Sequence, residues 1–358
     1  MKKVLFILAG IVTFIISFAF VWIVYFNVNL RSISKKSEPV SFTVEEGNTY
    51  YTIADELYKA KLIHSEFVYK IYVKFTKPKH IKAGVYQLDK NMDVKKIIEA
   101  LSGNITHDLN NVSITFKEGR NMKYIIKQIV ENTKNKEEDV LNVLKDEEYL
   151  NELIDDYWFI DDEILDGNLY YSLEGYLYPN TYNFNDKVKV EEIFNVMIEQ
   201  MDKKLSKYKK EIKDMKYTPH QILTLASIVE LEGSDGSDRK GIAGVFYNRL
   251  NNNWSLGSDV TAYYGAGIDL SERDLTSNEL NNQNGYNTRA QNMIGKLPIG
   301  PICNPSEESI EAVIHPTEHD YFYFVSDKND KTYFTKTDSE HNAKINELVK
   351  AGLWYTYN

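Results

Sequence analysis

The run from Val4 to Phe26 is apolar apart from Thr13, Ser17 and Tyr25, and it restricts this chain more than any other stretch. Apolar surroundings offer no water to backbone N–H and C=O groups, so a helix must satisfy them internally. Its 23 residues make about 35 Å of helix, against a hydrocarbon core of about 30 Å. The run is longer than a signal-peptide core, and no small-x-small cleavage site follows it. Residues 1–26 are therefore expected to form a cytoplasmic tip and a retained, single-pass transmembrane helix. Trp22 and Tyr25 would lie near the far interface. Lys2 and Lys3 precede the run, and Arg31, Lys35 and Lys36 follow it, so charge alone leaves the orientation open. Large soluble modules behind an N-terminal anchor favour a location outside the cytoplasm, in the cell membrane. Residues 27–40 are polar and read as a tether.

The soluble part is organised around Gln221–Gly233, QILTLASIVELEG. Ile222, Leu225, Ala226 and Val229 recur at helical spacing, and Gly233-Ser234-Asp235-Gly236 stops the helix. The helix thus ends in Glu230 and Glu232. A carboxylate there faces the negative end of the helix dipole. Glu232 continues the row of Leu225 and Ile228/Val229, whose apolar character disfavours the charged form. Glu230 follows Ala226 and Ser227 on another side. Glu232 is therefore the candidate proton donor, against the alternative of a solvated helix end.

Before this helix, residues 41–105 read as strand, helix, strand, helix. Phe42–Gly47 is a strand and turn, Ile53, Leu57 and Leu62 share a helix face, Lys82–Leu88 is a strand, and Asp93 opens Val94–Leu101. Ile114–Gly119 echoes the strand-Glu-Gly pattern 72 residues on, with Ile125 and Ile129 in the places of Ile53 and Leu57. Two copies suggest a duplicated module rather than a solenoid. The first copy resembles a LysM-like α/β module, a glycan-binding fold, with a plain spacer as the alternative. The expected class is α+β: the anchor, the small module, and a mixed α+β catalytic domain over 110–358 that begins with the second strand-helix unit.

The segment Leu173–Tyr182 is aromatic, punctuated by Gly175 and Pro179, and suits a cleft wall or a packed loop. Asp238 is a plausible N-cap. Ile242, Val245, Phe246 and Arg249 then fall at i, i+3, i+4 and i+7. Arg249 on this stripe needs a partner if buried; the commoner outcome is snorkelling to water. Tyr321–Ser326 and Thr332–Thr335 read as a hairpin, and Ser339 opens a last helix.

A net charge of −10 argues against nucleic acid as a partner. Cys303 is the one cysteine, so no intrachain disulfide forms. No phosphate loop, HExxH or GxSxG occurs, and Pro316 interrupts the metal-like spacing of His315 and His319. No cofactor and no metal are expected. What remains is a carboxyl acid in a polar, aromatic setting, which suits glycosidic-bond chemistry.

Several ordered motifs then converge. Ala226–Glu232 resembles the A-S-I-[IV]-E-x-E signature of the endolytic murein transglycosylases, the YceG-like family. Val245–Leu250 is similar to V-F-x-N-R-L. Ser258–Thr261 with Tyr264-Gly265 is similar to [ST]-D-x-T-x-x-Y-G. Tyr286-Asn287-Thr288, Leu297–Ile302, Glu174–Pro179 and Lys82–Tyr86 resemble Y-N-T, L-P-P-G-x-I, E-G-[FW]-x-[FW]-P and K-A-G-x-Y. Ile299 in place of proline and Arg289 after Thr288 depart from the pattern. The resemblance implies a membrane-anchored lytic transglycosylase, a lyase, that acts outside the cytoplasmic membrane. It would cleave nascent peptidoglycan strands between N-acetylmuramic acid and N-acetylglucosamine, leave 1,6-anhydro ends and limit strand length. Peptidoglycan glycan strands and the cytoplasmic membrane would be its partners, with peptidoglycan synthases of the elongation machinery as candidate protein partners.

The second glutamate of E-x-E maps to Glu232 as the catalytic acid. Asn248, Arg249, Asp259, Tyr286, Asn287, Thr288, Glu174 and Tyr178 are the expected substrate-binding residues. Asn248, Asp259, Tyr286 and Asn287 would orient the sugar or Glu232, or serve as structural hydrogen-bonders. Two other readings stand beside this one. A hydrolase would use Asp259 as a second carboxylate, and a non-catalytic wall tether would use the LysM-like unit alone.

Overall fold

The structure is a computed structural model that describes residues 2–103, 111–234 and 238–354. Asp235 and Gly236 of the expected helix stop, and the expected boundaries at 105 and 110, lie outside the described residues. The chain divides into two compact units, Met1–Asn111 and Val112–Asn358.

In the first unit, α1 (Lys2–Leu30) runs four residues beyond the expected end at Phe26. Among the described residues it is the one helix long and apolar enough to cross a membrane, over Gly10–Leu30. The expected tether is shorter than 27–40. The Ser34 amide donates to the Lys90 carbonyl at 2.9 Å, His64 Nε2 lies 3.3 Å from the Ser32 carbonyl, and β1 (Pro39–Val44) already begins at Pro39. Then come α2 (Ala54–Lys59), α3 (Glu66–Thr76), β2 (Gly84–Asp89) and α4 (Val94–Leu101). β1 and β2 are antiparallel, with Phe42 opposite Tyr86 and Val44 opposite Gly84. Phe42 and Val44 point inward and their neighbours outward, as strand alternation requires. With Ile53, Leu57, Tyr86 and Ile97 they form one core. α3 is an element the sequence reading omitted. Its buried Val68, Tyr69 and Val73 fall at helical spacing, and the Ser65 hydroxyl caps the Val68 amide.

The second unit starts within β3 (Asn111–Thr115), at Val112, and continues with α5 (Met122–Asn132), α6 (Glu137–Val143) and α7 (Glu147–Asp156). β3 pairs with β4 (Thr181–Asn185). The echo of the first unit is therefore local. The Glu-Gly turn recurs, with Gly47 and Gly119 both at positive φ, but the second strand's partner arrives only after three helices. Next follow α8 (Val190–Leu205), α9 (Lys209–Asp214), α10 (Pro219–Glu232), α11 (Arg239–Asn251), α12 (Asp259–Ala266), α13 (Ser277–Leu280) and α14 (Glu307–Ile314). The antiparallel hairpin β5 (Tyr323–Ser326) and β6 (Thr332–Thr335) precedes α15 (Asp338–Lys350). Helices with small two-stranded sheets make this a mixed α+β fold.

α10 sits at the centre, packed against α11, α12 and α14. Pro219 occupies its first turn, and the Thr218 hydroxyl and Gln221 side chain cap each other's backbone amides at 3.2 Å. Every residue from Ile222 to Glu230 is buried. A helix enclosed on all sides belongs to the interior of a domain, so its last turn is held rigidly where it meets the surface.

Candidate active site

Glu232 ends α10, with the Gly233 amide closing the last turn on the Val229 carbonyl at 2.9 Å. Its Oε1 accepts a hydrogen bond from the Ser258 hydroxyl at 2.5 Å. Burial pushes the Glu232 carboxyl above the ordinary range for a glutamate. The Ser258 hydrogen bond opposes this, the nearby Asp259 carboxylate reinforces it, and Arg249 and Arg289 pull it back. The group is thus biased toward holding its proton, with a donor and two cations ready to accommodate the anion when the proton leaves.

The loop that presents Ser258 is braced by residues far apart in sequence. The Ser258 amide donates to Thr288 Oγ1 at 3.1 Å, and the Thr261 hydroxyl donates to the Ser258 carbonyl at 2.7 Å. The Thr261 and Thr288 hydroxyls lie 2.7 Å apart, and the Thr288 amide donates back to Thr261 at 3.1 Å. Ser255 also donates its hydroxyl to the Thr288 carbonyl. Gly257 supplies the positive φ of +59° that turns the loop.

Arg249 does not snorkel. Its guanidinium turns inward, donating from Nε to the Phe322 carbonyl at 2.8 Å and from a terminal nitrogen to the Leu256 carbonyl. It also lies over the Tyr323 ring at 5.6 Å. The loop carbonyls and this aromatic face satisfy the charge more locally than water would, and so join the hairpin to the Ser258 loop. Asn248, one residue before, donates its amide to the His319 and Tyr321 carbonyls at 2.8 and 2.9 Å. Asp259, largely exposed in the first turn of α12, is ion-paired with Arg289.

Glu230 faces away from this cluster. Its Oε2 accepts from the Ser306 amide at 3.0 Å, the Ser306 hydroxyl at 2.5 Å and the Ser309 hydroxyl at 2.6 Å. Ser306 is the N-cap of α14. The carboxylate therefore meets the positive end of a helix dipole and ties α10 to α14.

The other expected residues are buried. Tyr286 receives the Tyr170 amide on its hydroxyl at 3.2 Å and packs its ring against Tyr170 and Tyr264, with centroids 4.7 and 4.8 Å away. Asn287 donates to the Leu280 and Asn282 carbonyls, so it closes its own loop. Glu174 accepts from the Met122 amide at 2.9 Å and the Tyr264 hydroxyl at 3.0 Å, and burial pushes its carboxyl up to about 8. Tyr178 is buried beneath the Lys204 ammonium, 5.2 Å from the ring centre. The structure thus brings Arg249, Asp259 and Thr288 onto the segments around Glu232. It sets Tyr286, Asn287, Glu174 and Tyr178 in the packing behind them. Of the 173–182 segment, residues 173–180 form a packed loop with Leu173–Tyr178 all buried, and Thr181 and Tyr182 open β4.

Sequence reasoning includes Ser258 only as part of a motif and Arg289 only as a departure from one, with no role for either, and it does not single out Ser306 and Ser309. Ser258 stands directly before Asp259 in a polar loop, but nothing local ties it to a glutamate 26 residues earlier.

The sequence model of the YceG-like family matches residues 42–347. An endolytic murein transglycosylase of Bacillus subtilis is 35% identical over 325 residues, covering 90% of this chain and 88% of that protein. One from Streptococcus pneumoniae is 30% identical over 328 residues, which is 88% of this chain and 59% of the longer relative. The crystal structure of a YceG-like protein from Listeria monocytogenes is 33% identical, with a TM-score of 0.60 over 86% of this chain and all of that one. Over nearly its whole soluble length, with the Glu232 motif inside the match, the chain belongs to the YceG-like family.

Proposed function

We propose that this protein is a membrane-anchored lytic transglycosylase that cleaves within peptidoglycan glycan strands. The name shared by the Bacillus and Streptococcus relatives supports the substrate and reaction. The observation that carries the reading is the Glu232 carboxyl, proton-biased by burial and held by Ser258 beside two arginines.

In this mechanism, protonated Glu232 donates to the glycosidic oxygen between N-acetylmuramic acid and N-acetylglucosamine as the bond to C1 breaks. The muramic acid C6 hydroxyl attacks C1, and the new Glu232 carboxylate takes that hydroxyl's proton. The ring closes as a 1,6-anhydro sugar, no water is consumed, and the enzyme ends in its starting protonation state. One carboxyl serves both steps because its proton affinity lies between those of a free acid and a base. Arg249 and Arg289 stabilise the intervening carboxylate electrostatically. Asn248 and Thr288 act by holding the loops in place, and Asp259 keeps Arg289 oriented. Internal cleavage would shorten nascent strands.

The anchor α1 would hold the soluble part at the outer face of the cytoplasmic membrane. The first unit, with its strand, two helices and strand, would act as a LysM-like module contacting glycan. Mass spectrometry of digested peptidoglycan tests the chemistry: anhydro ends are one water lighter than reducing ends. Products that carry only reducing ends would replace this reading with a hydrolase using Asp259. Protease added to intact protoplasts tests the topology, because full protection of the chain would place the soluble part inside.

A further inference from the structure

Beside the end of α10 lies a groove of about 490 Å³ that the mechanism leaves unused. Leu231, Val260 and Ile302 give it an apolar lining, together with the rings of Tyr263 and Tyr264. Leu231 is the residue before Glu232, and Val260 follows Asp259, so the groove opens one helical step from the acid. Its lining also carries Lys123 and Lys127, four residues apart on α5, and Arg120, which lies just before the helix N-cap Asn121. The i, i+4 spacing puts Lys123 and Lys127 on one face of the helix, and Arg120 joins them as a third exposed cation in the lining. They face a single acidic lining residue, Asp269.

This local balance is opposite to the chain's net charge of −10. The cations are committed only weakly. Arg120 lies over the Tyr124 ring at 5.8 Å. Lys123 donates to the Gly267 carbonyl at 2.8 Å, and Lys127 pairs with Glu131 at 3.8 Å on the surface. Contacts of this kind are worth little at a solvated site and give way to a better-placed anion. A groove lined by both apolar and basic side chains fits an extended, anionic ligand with small aliphatic side chains.

We infer that this groove binds the peptide attached to the muramic acid residue, with Arg120, Lys123 and Lys127 receiving its carboxylates. The inference rests on the proposed function. The peptide leaves the sugar through the lactyl group on O3, so a muramoyl residue at Glu232 must send it into an adjoining channel. The alanine-rich, carboxylate-bearing peptide matches this lining: methyl groups meet Leu231, Val260 and Ile302, and carboxylates meet Arg120, Lys123 and Lys127. The groove then selects peptide-bearing strands over bare glycan.

The test compares two substrates for the full chain in detergent micelles: un-cross-linked strands with their peptides, and the same strands after amidase has removed them. The triple reversal R120E/K123E/K127E should raise KM about tenfold or more on peptide-bearing strands, as like charges across a contact repel. It should leave KM on bare strands unchanged. The neutral R120Q/K123Q/K127Q set should shift KM in the same direction by less, and it covers the case in which the reversal disturbs folding. Binding of free muramoyl pentapeptide, followed calorimetrically, should weaken in both variants and in high salt. This readout needs no turnover, so absence of anhydro product from wild-type protein sinks the proposed function without deciding the groove. Equal KM changes on the two substrates would reassign the groove to the glycan, and unchanged KM with unchanged peptide binding would remove its role altogether.

Discussion

Glu230 and Glu232 lie two residues apart on the last turn of α10 and face opposite environments. Glu230 accepts from three donors at the N-terminal end of α14. Glu232 has one hydroxyl donor from Ser258 and a burial that disfavours its anion. A helical step of about 100° per residue turns them about 200° apart. One acid therefore fastens the helix while its neighbour is left for chemistry.

Removing each acid should separate these roles. Glu232→Gln keeps the shape but cannot cycle a proton, so anhydro-product formation should fall by about 10²–10⁴-fold with the melting temperature little changed. Glu230→Ala leaves the Ser306 amide and two hydroxyls without their acceptor. It should destabilise the soluble unit by about 1–3 kcal/mol, read from the denaturant midpoint. A Glu232→Gln protein that turns over at the wild-type rate would overturn the assignment.

The pH profile of kcat/KM should move in opposite directions in two variants. The Ser258 hydrogen bond lowers the proton affinity of Glu232, and the Asp259 charge raises it. The donor form is lost as pH rises through that value. Ser258→Ala should therefore carry the alkaline limb to higher pH, and Asp259→Asn should carry it to lower pH while activity persists. Loss of all turnover in Asp259→Asn would favour the hydrolase with its second carboxylate.

Glu174 should make stability fall as pH rises. Its folded value, about 8, lies above the ordinary 4.5, so the folded state holds the proton more tightly than the unfolded chain. The slope of unfolding free energy with pH is then negative across roughly 4.5 to 8. The stabilisation is complete below that window and gone above it. Glu174→Gln should flatten the dependence of melting temperature on pH over this range. An unaltered slope would mean that the carboxyl is already ionised in the folded protein.

Gly175 and Gly119 should differ in their tolerance of alanine. Both have positive φ, +86° and +66°, a strain of about 1–2 kcal/mol for any other residue. A Cβ on Gly175 would also lie 2.3 Å from Pro301 Cβ, whereas one on Gly119 meets only ordinary contacts at 3.5 Å or more. Gly175→Ala should cost the strain plus about 1–3 kcal/mol of overpacking, and Gly119→Ala the strain alone. Urea titrations of the two variants would give the comparison, and equal losses would rule out the close approach of the two loops.

Much of the fold is legible along the chain because it depends on neighbours a few residues away. The apolar row of α10, the Asp93 and Asp238 caps, and the turn between β5 and β6 all follow from such spacing. The reading of 27–40 as a tether overran because polar composition does not show that the Ser34 amide will find the Lys90 carbonyl. Likewise, the repeated Glu-Gly turn is local, but the choice of β4 as partner for β3 depends on how three intervening helices pack.

For the site, the sequence by itself determined which carboxyl group ends the buried helix and which short motifs accompany it. Apolar periodicity, the Gly233 stop and the order of motifs are all properties of contiguous residues. Only the tertiary structure decided what each polar residue does. It turned Arg249 inward onto the Phe322 and Leu256 carbonyls, put Ser258 on Glu232 and gave Glu230 to α14. The physical reason is that a hydrogen bond depends on position and direction in space, and partners such as Ser258 and Glu232, 26 residues apart, or Ser306 and Glu230, 76 apart, acquire both only when the helices between them have packed.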